Sequence, residues 1–283
     1  MPMNPRLLRP VSTTHPEAQV WRNAVIANGG SVSASTMRAV SKFCADVDSS
    51  GLRSKLVRVN LMCGDNLNAV LVPLFRATSR TGTQLGNTTD ANDNFTNDHY
   101  AQNSGLVGNA SNRRLLTGLA RSAVSNSASL HAGVFAFTRG GGAFRQYIVC
   151  SAAAAAFNQT SLDTRANPAN VAFANASSGS TGNTTDIAHA AKDFIVGCVS
   201  GAGANLLRMY INGSSVGTGT GVDSSANTAQ FALFARRRED TGAWDLHSDA
   251  RIGGYTIGLN LDDTESAAYS TVWDTFLKAL GRR

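Results

Sequence analysis

Apolar residues near the start of the chain recur every three or four positions, which is the period of an amphipathic helix. Thr14 and Glu17 have the spacing of a capping box, and Asn28-Gly29-Gly30 ends the first apolar pattern. Ser33 can cap a second helix. Its apolar stripe consists of Met37, Val40, Cys44 and Val47. These patterns predict a helical hairpin over residues 14–58.

The residues before this hairpin show neither a helical nor a strand period. Pro2, Pro5 and Pro10 each remove a backbone donor and bias the preceding residue away from helix. We therefore predict an extended arm over residues 1–13 that docks onto a partner. Its predicted docking contacts are Arg6, Leu7, Leu8 and Arg9. The alternative is a disordered leader.

Short apolar or alternating segments follow, and turn residues such as Asn212-Gly213 separate them. The predicted strands are residues 56–63, 67–75, 130–137, 144–150, 171–174, 194–199, 206–211, 231–235 and 251–257. Between them, residues 79–112 are polar and predict either a functional loop or very short strands. The spacing is typical of an antiparallel β-sandwich, so we expect a mainly β fold.

The pattern returns to the helical period at the end of the chain. Asp262 and Glu265 form a second capping box for a helix over residues 262–280. Tyr269, Trp273 and Phe276 lie on its apolar face, and we predict that they pack against the sandwich as structural core. The sandwich with this helix is expected to span residues 59–283.

Composition and charge narrow the class of protein. No apolar run approaches the roughly 18 residues of a membrane span, and the first residues do not resemble a secretory signal, so no membrane partner is expected. The net charge is +6, and residues 1–58 hold eight Lys and Arg against three Asp and Glu. An acidic or groove-bearing partner is therefore expected for this segment. The second helix places only Arg38 and Lys42 beside two aspartates, which is too few cations for specific nucleic-acid recognition.

The four cysteines, Cys44, Cys63, Cys150 and Cys198, lie far apart and form no CxxC pair. Each lies in an apolar or small-residue run. This spacing favours buried free thiols over disulfides or zinc ligands.

Two blocks of the sequence resemble known families. Residues 105–283 resemble a concanavalin A-like or laminin-G-like jelly roll, in which a strand ends in Asn-Gly and a late strand leads into a Leu-Asp-x-x-Glu helix start. The residues that carry this resemblance are Arg208–Gly213, Phe231–Ala235, Ile252-Gly253-Gly254 and Leu261–Glu265. The upstream block is similar to the N-terminal part of proteins of tailed bacteriophages and prophages. Its matching residues are Trp21–Val25, Asn28–Gly30, Gly51–Arg53, Asn60–Leu67 and Leu71–Leu74. The resemblance implies a virion protein.

Residues suited to catalysis are not arranged in any pattern that a reaction needs. The five histidines have no metal-binding or triad spacing. Concanavalin-like glycosidases place two Glu on one strand, whereas Glu17, Glu239 and Glu265 lie at caps or turns. Gly140-Gly141-Gly142 lacks the Lys-Ser/Thr of a phosphate loop. We therefore expect no catalytic residues and a protein that is not an enzyme.

Three surface segments are candidates for binding. Asp90, Asn92 and Asp93 offer hard oxygen ligands to calcium, with a polar loop of Asx turns as the alternative; no other cofactor is expected. Trp244 is the best candidate for a glycan contact, or else a packing lid. The run Arg236-Arg237-Arg238 is either a solvated strand edge or a virion contact.

Together these features predict a non-enzymatic bacteriophage structural protein, located in the virion as a head-decoration or tail-appendage component. Its N-terminal segment would dock onto other capsid or tail proteins and its jelly roll would face outward. A homo-oligomer is expected, a trimer before a dimer. The alternative is a carbohydrate-binding adhesin or receptor-binding module that recognises host surface glycans. A glycan hydrolase is the third and weakest hypothesis.

Overall fold

The computed structural model describes residues 14–78, 83–152, 158–177, 180–238 and 241–283. The predicted arm, with Arg6, Leu7, Leu8 and Arg9, lies outside the described residues. The helices are α1 (Pro16–Ala27), α2 (Ala34–Ser49), α3 (Leu67–Val70), α4 (Arg121–Val124) and α5 (Asp263–Ala279), with single 3₁₀ turns at Arg53–Lys55 and Asn97–His99. None of the described helices is long and apolar enough to cross a membrane.

The strands divide between two large sheets and a short ribbon. They are β1 (Leu56–Asn60), β2 (Phe75–Arg76), β3 (Ala91–Asp93), β4 (Tyr100–Ala101), β5 (Gly105–Val107), β6 (Arg114–Ala120), β7 (Leu130–Ala136), β8 (Gln146–Ala152), β9 (Asn158–Thr164), β10 (Asn170–Ser177), β11 (Ser180–Asn183), β12 (Ile187–Ala188), β13 (Asp193–Val199), β14 (Gly203–Ile211), β15 (Ser214–Gly221), β16 (Gln230–Leu233), β17 (Arg236–Arg237), β18 (Trp244–Asp245) and β19 (Arg251–Gly258).

The first sheet has the order β15-β14-β13-β7-β19-β1-β2, with β5 beside β19 and β4 beside β5. The second has the order β11-β10-β9-β8-β16-β6-β3, with β12 beside β10. Strands β17 and β18 pair only with each other in the described residues, and we call them the ribbon. The strand pairings are antiparallel, for example β7 with β13 and β8 with β9. The chain is therefore mainly β and sandwich-like, as the sequence predicts.

The first sheet is covered on both faces, which gives the molecule three layers. On β7, Ala132 and Val134 point toward the second sheet and share a core with Phe173 of β10. The alternate residue Phe135 points the other way and packs in a second core with Trp273 of α5. A strand buried on both faces has apolar residues at successive positions, and this continuous apolar run predicts β7 from the sequence.

Local signals set the helix ends. Ser33 caps α2 by accepting a hydrogen bond from the Thr36 N–H, and Asp262 with Glu265 forms the predicted capping box of α5. The predicted Thr14–Glu17 box is wrong. Helix α1 starts at Pro16, so His15 is the N-cap, and its Nδ1 accepts the hydrogen bond from the Glu17 N–H.

Aromatic rings fill the core between the helices and the first sheet. Tyr269, Trp273 and Phe276 are all buried there. Trp273 stacks on Phe194 of β13 with ring centroids 5.0 Å apart and meets Phe43 of α2 edge-on at 5.6 Å. Helices α1 and α2 thus belong to the same packed body as the sandwich.

One predicted strand and the predicted end of the helical hairpin differ from the structure. The segment predicted as a strand over residues 67–75 is helix α3 followed by the short β2, because the Asn66 side chain caps a helical turn by accepting from the Ala69 N–H. The boundary predicted between residues 58 and 59 falls inside β1, which lies between β19 and β2 in the first sheet.

A buried arginine ties the end of α5 to the sandwich. Arg282 is 1% exposed and donates hydrogen bonds to the carbonyl oxygens of Leu61, Met62, Gln102 and Gly253. These carbonyls come from three separate segments, so one guanidinium holds them together.

Candidate functional site

The outer face of the second sheet, on the side away from the helices, carries two concave surfaces. The ribbon packs over β8 between them. We call the first the Gln146 groove, of about 310 Å³, and the second the Trp244 cleft, of about 360 Å³. The Gln146 groove is lined by Phe144, Gln146, Gln159, Asp163, Arg165, Ala174, Ala176, Asn183, Arg236 and Leu246. The Trp244 cleft is lined by Gly118, Ala120, Val149, Thr228, Ala229, Gln230, Ala232, Arg237 and Trp244.

Strand alternation places the polar side chains of the Gln146 groove. On β9, Leu162 points into the sandwich core, so its neighbours Ser161 and Asp163 point outward. Ser161 lies opposite Ala174 of β10, and Gln159 lies opposite Ala176. The small alanines leave open space beside each polar residue, which forms a shallow floor.

The polar residues of β9 form one hydrogen-bonded line. Gln159 Nε2 donates to Ser161 Oγ at 2.7 Å, and Ser161 Oγ donates to Asp163 Oδ2 at 2.8 Å. Arg165 Nη1 donates to Asp163 Oδ1 at 3.3 Å, while its Nε donates to Asp186. Because every member restrains the next, these donors and acceptors are held in place before any ligand arrives.

Gln146 leaves one polar atom without a partner at the groove wall. The residue is 1% exposed, and its Nε2 donates to the Phe144 carbonyl at 3.0 Å. Its Oε1 is buried and accepts no hydrogen bond from the described residues. An unsatisfied buried acceptor costs about 1–3 kcal/mol, so this oxygen is a site where a ligand donor is favoured.

Phe144 holds an aromatic ring at the rim in a strained backbone conformation. Its φ of 57° lies in the left-handed region, and its side chain is 44% exposed. The Arg165 guanidinium carbon lies 5.6 Å from the ring centroid. Non-glycine residues with such backbone angles cost about 1–3 kcal/mol and cluster at binding sites, so the exposed ring is a candidate ligand contact.

The Gln146 groove carries no excess of positive charge. Arg236 forms a two-point ion pair with Asp245, at 2.9 and 2.7 Å, and Arg165 bonds to two aspartates. Burial raises the pKa of Asp163, while its hydrogen bonds to Ser161 and Arg165 oppose that rise. The groove is therefore suited to an uncharged ligand with hydroxyl groups.

The Trp244 cleft has an apolar floor and an aromatic wall, unlike the more polar Gln146 groove. Its floor is formed by Val149 and Ala232, which are paired across β8 and β16. The Arg114 guanidinium stacks over the Trp244 ring at 4.4 Å from the centroid. The predicted glycan contact Trp244 is thus half-buried in a cleft wall, held by a cation on its ring.

The three predicted calcium ligands are engaged by protein groups. The Asp90 carboxylate is buried and bonds to the Arg58 guanidinium and to Asn60 and Tyr255. The Asn92 amide bonds the backbone of Phe95 in an Asx turn, and Asp93 pairs with Arg114 at 2.7 Å. The alternative of a polar loop describes this segment better, because a buried arginine already neutralises Asp90.

Among the described residues, three side chains that could act as metal ligands also lie close together near the start of α1. His15, Glu17 and Cys44 bring one ligand atom each within 4.8 Å of one another. However, His15 Nδ1 accepts the Glu17 N–H at 3.3 Å, and His15 Nε2 lies 2.9 Å from Asp48 Oδ2. Glu17 pairs with Arg53. These contacts engage the His15 and Glu17 atoms that a metal would need.

The prediction for the cysteines is confirmed. Cys44, Cys63, Cys150 and Cys198 are free and buried. Burial raises the pKa of the Cys150 thiol to about 11 and that of Cys63 and Cys198 to about 12. Such thiols are not nucleophiles at neutral pH.

The sequence named Trp244 as a candidate contact, and the structure places it in a cleft wall, but the sequence did not indicate the Gln146 groove. The hydrogen-bonded line of the groove lies on β9, whose sequence is too polar to be predicted as a strand from its apolar residues. A signal was present in the period-2 spacing of Gln159, Ser161 and Asp163.

Comparisons with known proteins give distant likenesses only. No protein-family model matches the chain, and no curated protein sequence matches it. Among solved structures, a mutant of Trypanosoma rangeli sialidase with trans-sialidase activity is 11% identical over 85% of this chain and 39% of its own, with a TM-score of 0.49.

Two further structures show smaller overlaps. NanB sialidase from Streptococcus pneumoniae is 16% identical over 52% of this chain, with a TM-score of 0.43, and the match spans only 24% of that enzyme. The CBM40 domain of Ruminococcus gnavus IT-sialidase is 12% identical over 50% of this chain and 83% of its own, with a TM-score of 0.39. Likeness at this level does not identify a shared function.

Proposed function

We propose that this chain is a glycan-binding module and that the Gln146 groove binds an uncharged sugar ring. The observation that carries the proposal is the hydrogen-bonded line from Gln159 through Ser161 to Asp163 above a floor of alanines. Neighbouring hydroxyls of a sugar need closely spaced donors and acceptors. Gln159 and Asp163 line the groove and supply them, while the buried Ser161 between them holds both side chains in place.

The rest of the groove completes such a site. The unpartnered Oε1 of Gln146 can accept a sugar hydroxyl, and the exposed Phe144 ring can pack against the apolar face of the sugar. The groove volume of about 310 Å³ is at the small end for ligand pockets, which suits one or two rings.

We propose binding without catalysis. Glycoside hydrolysis generally needs two carboxyl groups that flank the bond to be broken. Among the described residues that line the groove, Asp163 is the one carboxylate, and it is held by Ser161 and Arg165.

We further propose that the sandwich is a concanavalin A-like jelly roll. This fold commonly displays sugar sites on a sheet face. The virion location, the bacteriophage origin and the homo-oligomer stay predictions from the sequence. They are compatible with the proposed groove, because a virion protein that displays it outward would contact host surface glycans.

A glycan array probed with the purified chain tests the proposal. We expect binding of neutral oligosaccharides, and Ala174→Leu should abolish it by filling the floor while leaving the hydrogen-bonded line intact. Ala45→Leu, on the exposed face of α2, is the matched control and should bind normally. Gln159→Ala is a second variant should Ala174→Leu lower the melting temperature. The proposal would be overturned if the wild-type chain binds no neutral glycan. It would also be overturned if Ala174→Leu and Gln159→Ala bind as well as wild type.

A further inference from the structure

The ribbon presents two arginines to opposite sides, and among the described residues Arg236 has a carboxylate partner whereas Arg237 has none. Arg236 faces the Gln146 groove and pairs with Asp245, whereas the next residue, Arg237, lines the Trp244 cleft. Arg237 is exposed, and no carboxylate among the described residues pairs with it. The two concave surfaces therefore differ in charge although they share one face of the sheet.

Other groups of the Trp244 cleft strengthen this difference. Arg114, stacked on Trp244, pairs with Asp93, and its buried Nε has no partner in the described part of the chain. The guanidinium groups of Arg114 and Arg237 therefore have one carboxylate partner between them, that of Asp93. Gln230 Oε1 accepts the Gly118 N–H at 2.9 Å, which leaves the Gln230 amide N–H groups as donors. The cleft offers cations and donors around an aromatic wall.

We infer that the Trp244 cleft is a second subsite that selects a sugar carrying a carboxylate, such as a hexuronic acid. The Trp244 ring packs against the apolar face of the sugar, and the Arg237 guanidinium pairs with the carboxylate, whose planar geometry it matches. The inference rests on the proposed function only in taking the ligand to be a sugar. Its charge preference comes from the cleft itself.

Calorimetric titration at low salt tests the inference with a hexuronic acid tetrasaccharide and with the same tetrasaccharide after its carboxyl groups are reduced to alcohols. We expect the acidic form to bind at least about tenfold more tightly, with a difference that shrinks at high salt. Arg237→Gln should remove this preference, and Trp244→Ala should weaken both forms. Arg22→Gln, on the exposed face of α1, is the matched control.

Each outcome separates the two proposals. If the acidic sugar still binds Ala174→Leu and fails to bind Arg237→Gln, the cleft is a site of its own even if the Gln146 groove binds nothing. Equal binding of the acidic and reduced forms, or equal behaviour of Arg237→Gln and Arg22→Gln, overturns the inference. A sulfated tetrasaccharide that binds as tightly as the hexuronic acid overturns the carboxylate selectivity and shows a general anion site. A chain that binds none of these tetrasaccharides overturns the inference, whereas the Gln146 groove is tested separately by the array of neutral glycans.

Discussion

Arg58 and Asp90 form an ion pair of 2.7 Å in which both side chains are fully buried. They lie 32 positions apart, Arg58 in β1 and Asp90 just before β3. Tyr255 of β19 joins them, since Arg58 Nε bonds its hydroxyl and that hydroxyl bonds Asp90. The pair therefore fixes the polar segment before β3 against the first sheet.

Removing the carboxylate should be costly because it leaves the Arg58 cation buried and uncompensated. We expect Asp90→Asn to lower the free energy of unfolding by about 3–5 kcal/mol in urea titrations. Asp46→Asn breaks the exposed Lys42–Asp46 pair and should cost less than about 1 kcal/mol. Equal losses in the two variants would show that burial of the Arg58–Asp90 pair has no energetic weight.

The Trp273 ring should be a main source of stability for the helical layer. Trp273→Ala should cost about 3–5 kcal/mol, because it empties the space between Phe43 and Phe194. Trp273→Phe should cost less, since it also removes the buried Nε1–H that has no partner. Thr271→Ala, on the exposed face of α5, is the control for helix propensity. An unchanged melting temperature in Trp273→Ala would show that α5 serves a partner and not the core.

His131 should make the fold sensitive to acid. Burial lowers its pKa to about 4. Its Nδ1–H donates to the Leu259 carbonyl at 2.6 Å, and its Nε2 accepts from the Thr256 hydroxyl at 2.9 Å. The unfolded histidine takes up a proton near pH 6.5 and the folded one does not, so stability falls as pH drops from about 6.5 to 4, by up to about 3 kcal/mol.

The slope of the free energy of unfolding against pH tests this role of His131. In His131→Gln that slope should be shallower over the same range, whatever the stability of the variant at neutral pH. Identical slopes for the variant and the wild type would exclude His131 as the source.

The four cysteines should resist alkylation in the folded protein. Their thiols are buried and keep their protons at neutral pH because burial raises their pKa. Mass spectrometry after iodoacetamide treatment should find no adducts on the native chain and four after denaturation. Rapid labelling of any one cysteine without denaturant would reveal local opening at that position.

Phe144→Gly should separate binding from stability. Glycine accepts the φ of 57° without strain, so we expect a melting temperature equal to or above that of the wild type. Loss of the ring should weaken binding of neutral glycans at the Gln146 groove. Phe144→Ala keeps the strain and loses the ring, which makes it the matched control. Undiminished binding by both variants would remove Phe144 from the site.

Features that depend on neighbouring residues were predictable, and features that depend on distant ones were not. Ser33 and Asp262 cap their helices by contacts within three residues, so the sequence shows them directly. Asp90 looked like a calcium ligand because its partners Arg58 and Tyr255 are remote in the chain. Strand β9 was missed because its outward residues are polar, and those same residues build the Gln146 groove.

The position of Arg282 has a consequence for synthesis of the chain. Its guanidinium bonds the Leu61 carbonyl, 221 positions earlier, and α5 supplies the rings against which Phe43 packs. While a ribosome is still translating the sandwich, α2 lacks the rings of Trp273 and Phe276 that cover Phe43. Contacts between such distant positions form slowly, so we expect the contacts of α5 and Arg282 to complete the helical layer last.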